Sequence, residues 1–153
     1  MSERMATATA APRWITSWGP VAKFLLGAGV PLGPNALVTV RGRKSGLPRT
    51  TPLAIISVGG RRWIWAPWGE VQWVRNLRAA GRATITVRGQ QDEVSAAELD
   101  QAQRVEFFRD TLGPLARSIP LGVWFIRLVD QVDLSKPEQI AKDRRVFELH
   151  SLR

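Results

Sequence analysis

Apolar positions recur along the chain with two periods. Over residues 14–28, Trp14, Trp18, Val21, Ala22, Leu25 and Leu26 fall near helical spacing, and Gly29 and Pro31 supply stop signals, so an amphipathic helix is predicted. Residues 36–41 are instead β-branched and apolar, as are residues 51–58, and the segment 42–49 joins these two predicted strands as a basic loop. Gly59-Gly60 suits a two-residue hairpin turn, with a strand over 61–66 after it. Val71, Val74 and Leu77 then fall at i, i+3 and i+6, which predicts a helix over 70–80 closed by Gly81.

Strand alternation returns over 83–89 and 93–99, a second hairpin turning at Gln90-Gln91. Ala102, Val105, Phe108 and Leu112 predict a helix that starts on Asp100 as N-cap. The apolar stretch 119–129, with Pro120 suited to a first turn, predicts another, and 143–149 a final edge strand. Strands in hairpins without βαβ alternation argue against a Rossmann fold. They predict an α+β, mainly β class: a barrel-like sheet of about six mostly antiparallel strands with packed helices.

A chain of 153 residues that is 44% hydrophobic supports one core, so residues 14–153 read as a single domain and 1–13 as a disordered tail. The longest uncharged run, residues 24–40, is broken by glycines and prolines and is short of a bilayer span. Residues 1–12 lack the apolar region of a signal peptide, and no cysteine is present for disulfides, so a cytoplasmic location is expected. Peripheral membrane contact through the helix carrying Trp14, Trp18 and Lys23 is the alternative to its packing on the core. A lone histidine, His150, and no cysteine disfavour a transition-metal site.

Charge sharpens the picture. Residues 1–91 carry 13 Lys and Arg against two acids, a net +11, and residues 92–153 carry nine against eleven, a net −2, which together give the overall +9. The first half is therefore the anion-facing half, unless the excess is only a solvated basic surface. Its densest stretch is Arg43, Lys44, Ser45 and Arg49, with Arg41 just before. Gly42 and Gly46 let that loop aim backbone amides to one side while the cations supply counter-charge, as a phosphate or carboxylate requires. It lacks the glycine spacing of a Walker loop.

Trp63, Trp65, Trp68 and Trp73 lie within eleven residues. Trp63 and Trp65 share a strand face and suit core packing, whereas Trp68 and Trp73 flank a strand-to-helix joint where a planar ring would fit. Gln72 and Asn76, at i and i+4, offer amides suited to a cofactor edge or to an ordinary polar face. No carboxylate pair stands out as an acid/base couple.

The string Gly-Arg-Lys-Ser-Gly-x-x-Arg over 42–49, then Thr51-Pro52-Leu53, Gly59-Gly60, Ala66-Pro67-Trp68-Gly69 and Gln72-Trp73-Val74-Arg75-Asn76-Leu77, resembles the deazaflavin (coenzyme F420)-dependent nitroreductase and quinone reductase family. The resemblance covers roughly residues 36–99. It implies a split β-barrel that binds reduced 5-deazaflavin, whose tail carries a phosphate and glutamates. It also implies hydride transfer to a small electron-poor acceptor such as a quinone, an enone or a nitroaromatic.

By the same resemblance, Arg43, Lys44, Ser45, Gly46 and Arg49 would hold the tail or the polar ring edge. Thr50, Thr51, Pro52, Leu53 and Ala54 would line the groove, and Trp65, Ala66, Pro67, Trp68 and Gly69 would meet the headgroup through backbone amides. Gln72, Trp73, Val74, Arg75 and Asn76 would close the site. Some relatives place a tyrosine beside the acceptor; this chain has none, so the proton donor would be Ser45, a water or another group. Bulky Trp68 would shape the acceptor pocket, with Leu115, Ile119, Val123, Trp124 and Phe125 as its other wall unless they pack in the core.

Three other classes stay open on the sequence alone: a non-catalytic module for deazaflavin or a lipid, an FMN-binding split barrel, and, least favoured, a nucleic-acid binder. A monomer or a dimer is expected, the sequence not distinguishing them. Nucleic-acid binding would bring an affinity that falls steeply with salt. We expect titration with single-stranded DNA or RNA at about 0.05 and 0.2 M salt to show no such fall.

Overall fold

The computed structural model describes residues 35–67, 69–120, 122–127 and 132–152. The helix predicted over 14–28, the tail 1–13 and Trp68 lie outside them. Seven strands form one antiparallel sheet: β1 (Ala36–Arg41), β2 (Pro48–Leu53), β3 (Ile56–Val58), β4 (Arg61–Trp65), β5 (Arg82–Val87), β6 (Gln90–Glu98) and β7 (Val146–Ser151). Their order is β2-β1-β5-β6-β7-β4-β3. β2 and β3 therefore sit at opposite ends of the order although only Ala54 and Ile55 separate them in the chain.

Three residues of chain span at most about 11 Å, so the sheet must curl until its two ends meet. Register gives the closing element. Pro48 to Leu53 pairs with β1, Ile56 to Val58 pairs with β4, and both pieces run the same way. The run predicted as one strand over 51–58 is in fact one bent strand, longer at its start and broken at Ala54-Ile55. At the break Asn35 replaces a strand neighbour, since Ile55 N donates to Asn35 Oδ1 at 2.8 Å and Asn35 Nδ2 donates to Ile55 O at 3.1 Å. The predicted split barrel is observed, with seven strands where about six were expected.

Alternation sorts the apolar residues into two cores. Ala36, Val38 and Val40 of β1, Ala83 and Ile85 of β5, Val94 of β6, Ile64 of β4 and Phe147 and Leu149 of β7 fill the barrel. The opposite face of β3, β4 and β7, with Ile56, Trp63, Trp65 and Val146, packs on Phe107, Phe108, Leu112 and Ala116. β4 is thus buried on both faces. Trp63 lies on Phe107 with ring centroids 5.6 Å apart and Trp65 meets Phe108 edge-on at 5.4 Å, the core role expected of this pair.

The helix predicted over 70–80 starts two residues later, as α1 (Gln72–Ala80), with Gly81 as its left-handed C-cap at φ 73°. The predicted turn at Gln90-Gln91 lies instead at Arg88-Gly89, whose positive φ values of 51° and 79° match the right-handed twist of the hairpin. The helix after Asp100 begins with the expected N-cap, which forms a capping box with Gln103 as α2 (Gln101–Glu106). It then widens into π-helical turns (Phe107–Leu112) and continues as α3 (Gly113–Ser118). Of the expected stripe, Phe108 and Leu112 are buried and Val105 packs against the core, whereas Ala102 is exposed and Arg104 and Phe107 join the buried side.

Arg104 is 6% exposed and donates to the carbonyls of Ala141 and Leu99, tying α2 to α5 (Pro137–Asp143). Of the stretch predicted as a helix over 119–129, the described part is the short α4 (Gly122–Phe125). β7 starts three residues after the predicted 143–149 strand and is no edge. It pairs with both β6 and β4, because its two faces each supply a core.

Antiparallel pairing places the turns at Gly59-Gly60 and Arg88-Gly89 at one end of the barrel and α1 at the other. At the α1 end Arg78 bonds both Glu98 and Glu70, and Glu70 also accepts from Arg145 Nε at 2.7 Å. The network pins the connection before α1 to β6 and to the entry of β7. The Arg78 guanidinium, then that of Arg145, holds the Glu70 carboxyl below the usual carboxylate range. Glu70 therefore adds stability that is present above its unfolded value of about 4.3 and lost as pH falls through the lower folded value.

We expect Glu70→Gln to cost about 1 kcal/mol at pH 7, small because Arg78 is largely exposed. Thermal melts of both proteins from pH 7 to pH 3 check this: the gap in Tm should narrow as the pH falls below about 4.3, and a gap independent of pH would remove the ionic account.

Candidate functional site

The basic loop is a closed turn at the α1 end. Gly42 N donates to Leu47 O at 2.8 Å, Gly46 N donates to Gly42 O at 2.9 Å, and Leu47 N donates to Ser45 Oγ at 3.1 Å. Glycine is required at position 42 for space: a Cβ there would sit 2.8 Å from Ser45 Oγ and 3.1 Å from Leu47 O. Gly46 is required for conformation, with φ 75°. The strand resumes earlier than predicted, so the loop proper is residues 42–47 and Arg49 belongs to β2.

Within the loop, Arg43 turns back onto α1. Its Nη1 donates to Gln72 Oε1 at 2.9 Å and to Asn76 Oδ1 at 2.8 Å, and its backbone N–H donates to the same Asn76 oxygen at 3.1 Å. The i, i+4 spacing of Gln72 and Asn76 puts both amides on one side of α1, and Val74 and Leu77, fully buried, fix the opposite side in the barrel core. Asn76 itself is 4% exposed. Lys44 and Ser45 stay exposed at the tip, and Ser45 serves in the loop as an acceptor that closes the turn.

The pleat divides the expected groove lining. Arg49, Thr51 and Leu53 are half-buried on the face of β2 shared with Val40, Val38 and Ala36, whereas Pro48, Thr50 and Pro52 face outward. Thr50 instead bonds Thr39 across the outer face at 2.7 Å. A strand cannot offer 50–54 as one surface, and the register selects Thr51 and Leu53.

The connection 66–71 leaves β4 at the same end as the loop. Ala66 is fully buried and its N–H already donates to Arg145 O at 2.8 Å, and the Trp65 ring is in the helix-side core. Pro67 is half-buried, and Gly69 has φ 80° and its carbonyl accepts from Val71 N. Trp73 is half-buried against Phe147, centroids 6.2 Å apart, and Arg75 is half-buried. Val74 points into the core, not to the loop. On the expected far wall, Leu115 and Ile119 pack on the helix-side core and Val123 is exposed; the side chains of Trp124 and Phe125 lie outside the described set.

The structure thus gathers residues 42–49, the connection 66–71 and the start of α1 at one end of the barrel. The acids there, Glu70 and Glu98, are taken by Arg78 and Arg145. Among the described residues no carboxylate bonds Arg43 or Lys44. The signal that sequence alone did not separate is partner choice: which arginine faces an acid and which faces an amide depends on the fold.

A model of the F420H2-dependent quinone reductase family matches residues 22–115, 94 of the 153 residues. Among solved structures, an F420-H2 dependent reductase (FDR-A) is 19% identical, covers 75% of this chain and 92% of its own, and superposes with a TM-score of 0.49. A domain-swapped dimer is 18% identical, covers 89% and 99%, and reaches a TM-score of 0.50, a likeness of fold. An F420 reductase is 12% identical over 77% and 86%, with a TM-score of 0.45.

Replacing Gly42 by alanine drives a methyl into the turn, and we expect a loss of about 1–3 kcal/mol, read as a drop in Tm. An unchanged Tm would show that the turn can open without cost.

Proposed function

The chain belongs to the F420H2-dependent quinone reductase family and is a coenzyme F420-dependent oxidoreductase; from that premise we propose that the basic loop over β1 and β2 takes the anionic tail of the cofactor. The observation that carries this is the state of the loop's charge. Arg43 is fixed by neutral amides and Lys44 is exposed, while the nearby acids are engaged elsewhere. An anion arriving there finds the Arg43 guanidinium already held, so little reorganisation of that donor opposes binding, and the exposed Lys44 ammonium adds charge beside it.

The donor set fits the group. Arg43, Lys44 and Arg49 would hold the phosphate and glutamates, Thr51 and Leu53 would line the groove beside them, and Pro67 and Gly69 would border the ring. When bound, the 5-deazaflavin supplies a hydride to an electron-poor acceptor, for which a quinone, an enone or a nitroaromatic are suitable classes. The chain's part is to bind, orient and exclude water. With no tyrosine in the chain, protonation of the reduced acceptor would come from a water or another group beside the ring, or from Ser45 if the acceptor reaches the loop. The domain-swapped relative makes a dimer a reasonable assembly to test by light scattering.

Spectral titration with coenzyme F420 and FMN in parallel should show saturable binding of F420 alone, with turnover of the reduced form on addition of a quinone. Lys44→Ala and Arg49→Ala should each weaken F420 binding by about 1–3 kcal/mol. Unchanged affinity in both variants would take the loop out of the cofactor site, and tight FMN binding would reassign the cofactor.

A further inference from the structure

Among the described residues, most arginines with side-chain bonds meet a carboxylate, while Arg104 is tied to the Leu99 and Ala141 carbonyls and to the Gln101 amide. Arg61, Arg62, Arg78, Arg109, Arg144 and Arg145 each bond a carboxylate at 2.7–3.1 Å. Arg43 is held as firmly, by three bonds, yet only by the carboxamide oxygens of Gln72 and Asn76. An amide oxygen accepts the same bond as a carboxylate oxygen of nearly the same shape but brings no charge. Aspartate or glutamate at these positions would bond Arg43 more strongly and would also neutralise it.

Both side-chain bonds use Nη1, and among the described residues Nε and Nη2 of Arg43 have no bond. One edge of the guanidinium is thus anchored and the rest of its donors remain for a ligand. The anchor is rigid, because Asn76 is almost fully buried and α1 is fixed by Val74 and Leu77. Burial of the acceptor keeps water from competing for the bond.

We propose that Gln72 and Asn76 are positioning residues that aim Arg43 at the anionic tail of the cofactor while leaving its charge whole. They act through Arg43 and do not touch the ring, in contrast to the edge-binding role that their residue types suggest. The assignment rests on the loop being the tail site. It gives the pair a specificity role: they favour a deazaflavin that carries phosphate and glutamates over one that lacks them.

The test uses Gln72→Glu and Asn76→Asp in the full chain, each titrated with coenzyme F420 and with the deazaflavin chromophore lacking the phosphate and glutamate tail, with Tm measured alongside. Each variant should weaken F420 binding about tenfold or more, leave the tail-less compound unaffected, and keep or raise Tm because Arg43 gains a charged partner. The loss should shrink as salt is raised. A residue serving only to tether loop to helix would show the Tm effect without the loss of affinity.

Folded variants that bind F420 as tightly as the wild type overturn the proposal, as does an equal loss for the tail-less compound, which would place the amides against the ring. Gln72 is only half-buried, so Gln72→Glu carries the test if Asn76→Asp does not fold. Wild-type protein that binds both compounds equally, with Lys44→Ala also without effect, would instead overturn the tail-site assignment beneath it.

Discussion

Barrel closure is the constraint on which the remaining structure depends. One bent strand, Pro48 to Val58, pairs with β1 in its first part and with β4 in its second, so the two ends of the sheet are joined by covalent chain and not by a ladder of hydrogen bonds. Asn35 fills the gap at the bend with two bonds to Ile55. Because the bend fixes where β2 begins, it fixes the height of the basic loop above the barrel. α1 then closes the same end, and loop and helix meet through Arg43.

Charge at that end is partitioned by partner. Arg78 and Arg145 absorb Glu70 and Glu98 and serve stability, while Arg43 is held by amides and stays available. Both arrangements give rigid side chains, yet only the second leaves a field outside the protein. Within the sequence's +11 half, Arg61, Arg62 and Arg78 bond carboxylates, whereas Arg43 bonds amides.

Much of this was legible before the structure. Strand alternation and the Gly59-Gly60 turn gave the antiparallel barrel, Gly81 the end of α1, Asp100 a capping box, and the spacing of Trp63 and Trp65 their core role. Less legible were features set by tertiary context. β7 looked like an edge because nothing local tells a strand how many neighbours it will have. Alternation along 83–99 does not say which pair of residues turns, and Arg88 accepts a positive φ that its side chain does not advertise. Arg104 is buried four residues before Phe108, on the face a 3.6-residue period marks, but a charged side chain is placed inside only by the Leu99 and Ala141 carbonyls that tertiary structure brings to it. Type and spacing singled out the loop, Gln72 and Asn76, but that the amides hold Arg43 required coordinates.

The place of β7 also constrains the order in which the protein can be made. β7 is synthesised after every other described strand, yet it lies in the middle of the sheet, between β6 and β4. Until it emerges from the ribosome, β4 and β6 carry exposed hydrogen-bonding edges and both cores lack a wall, including Phe147 and Val146. Pairings such as Arg62 with Leu149 join distant parts of the chain and form late. The barrel therefore closes only once β7 has been made, and until then the open edges of β4 and β6 are exposed to aggregation.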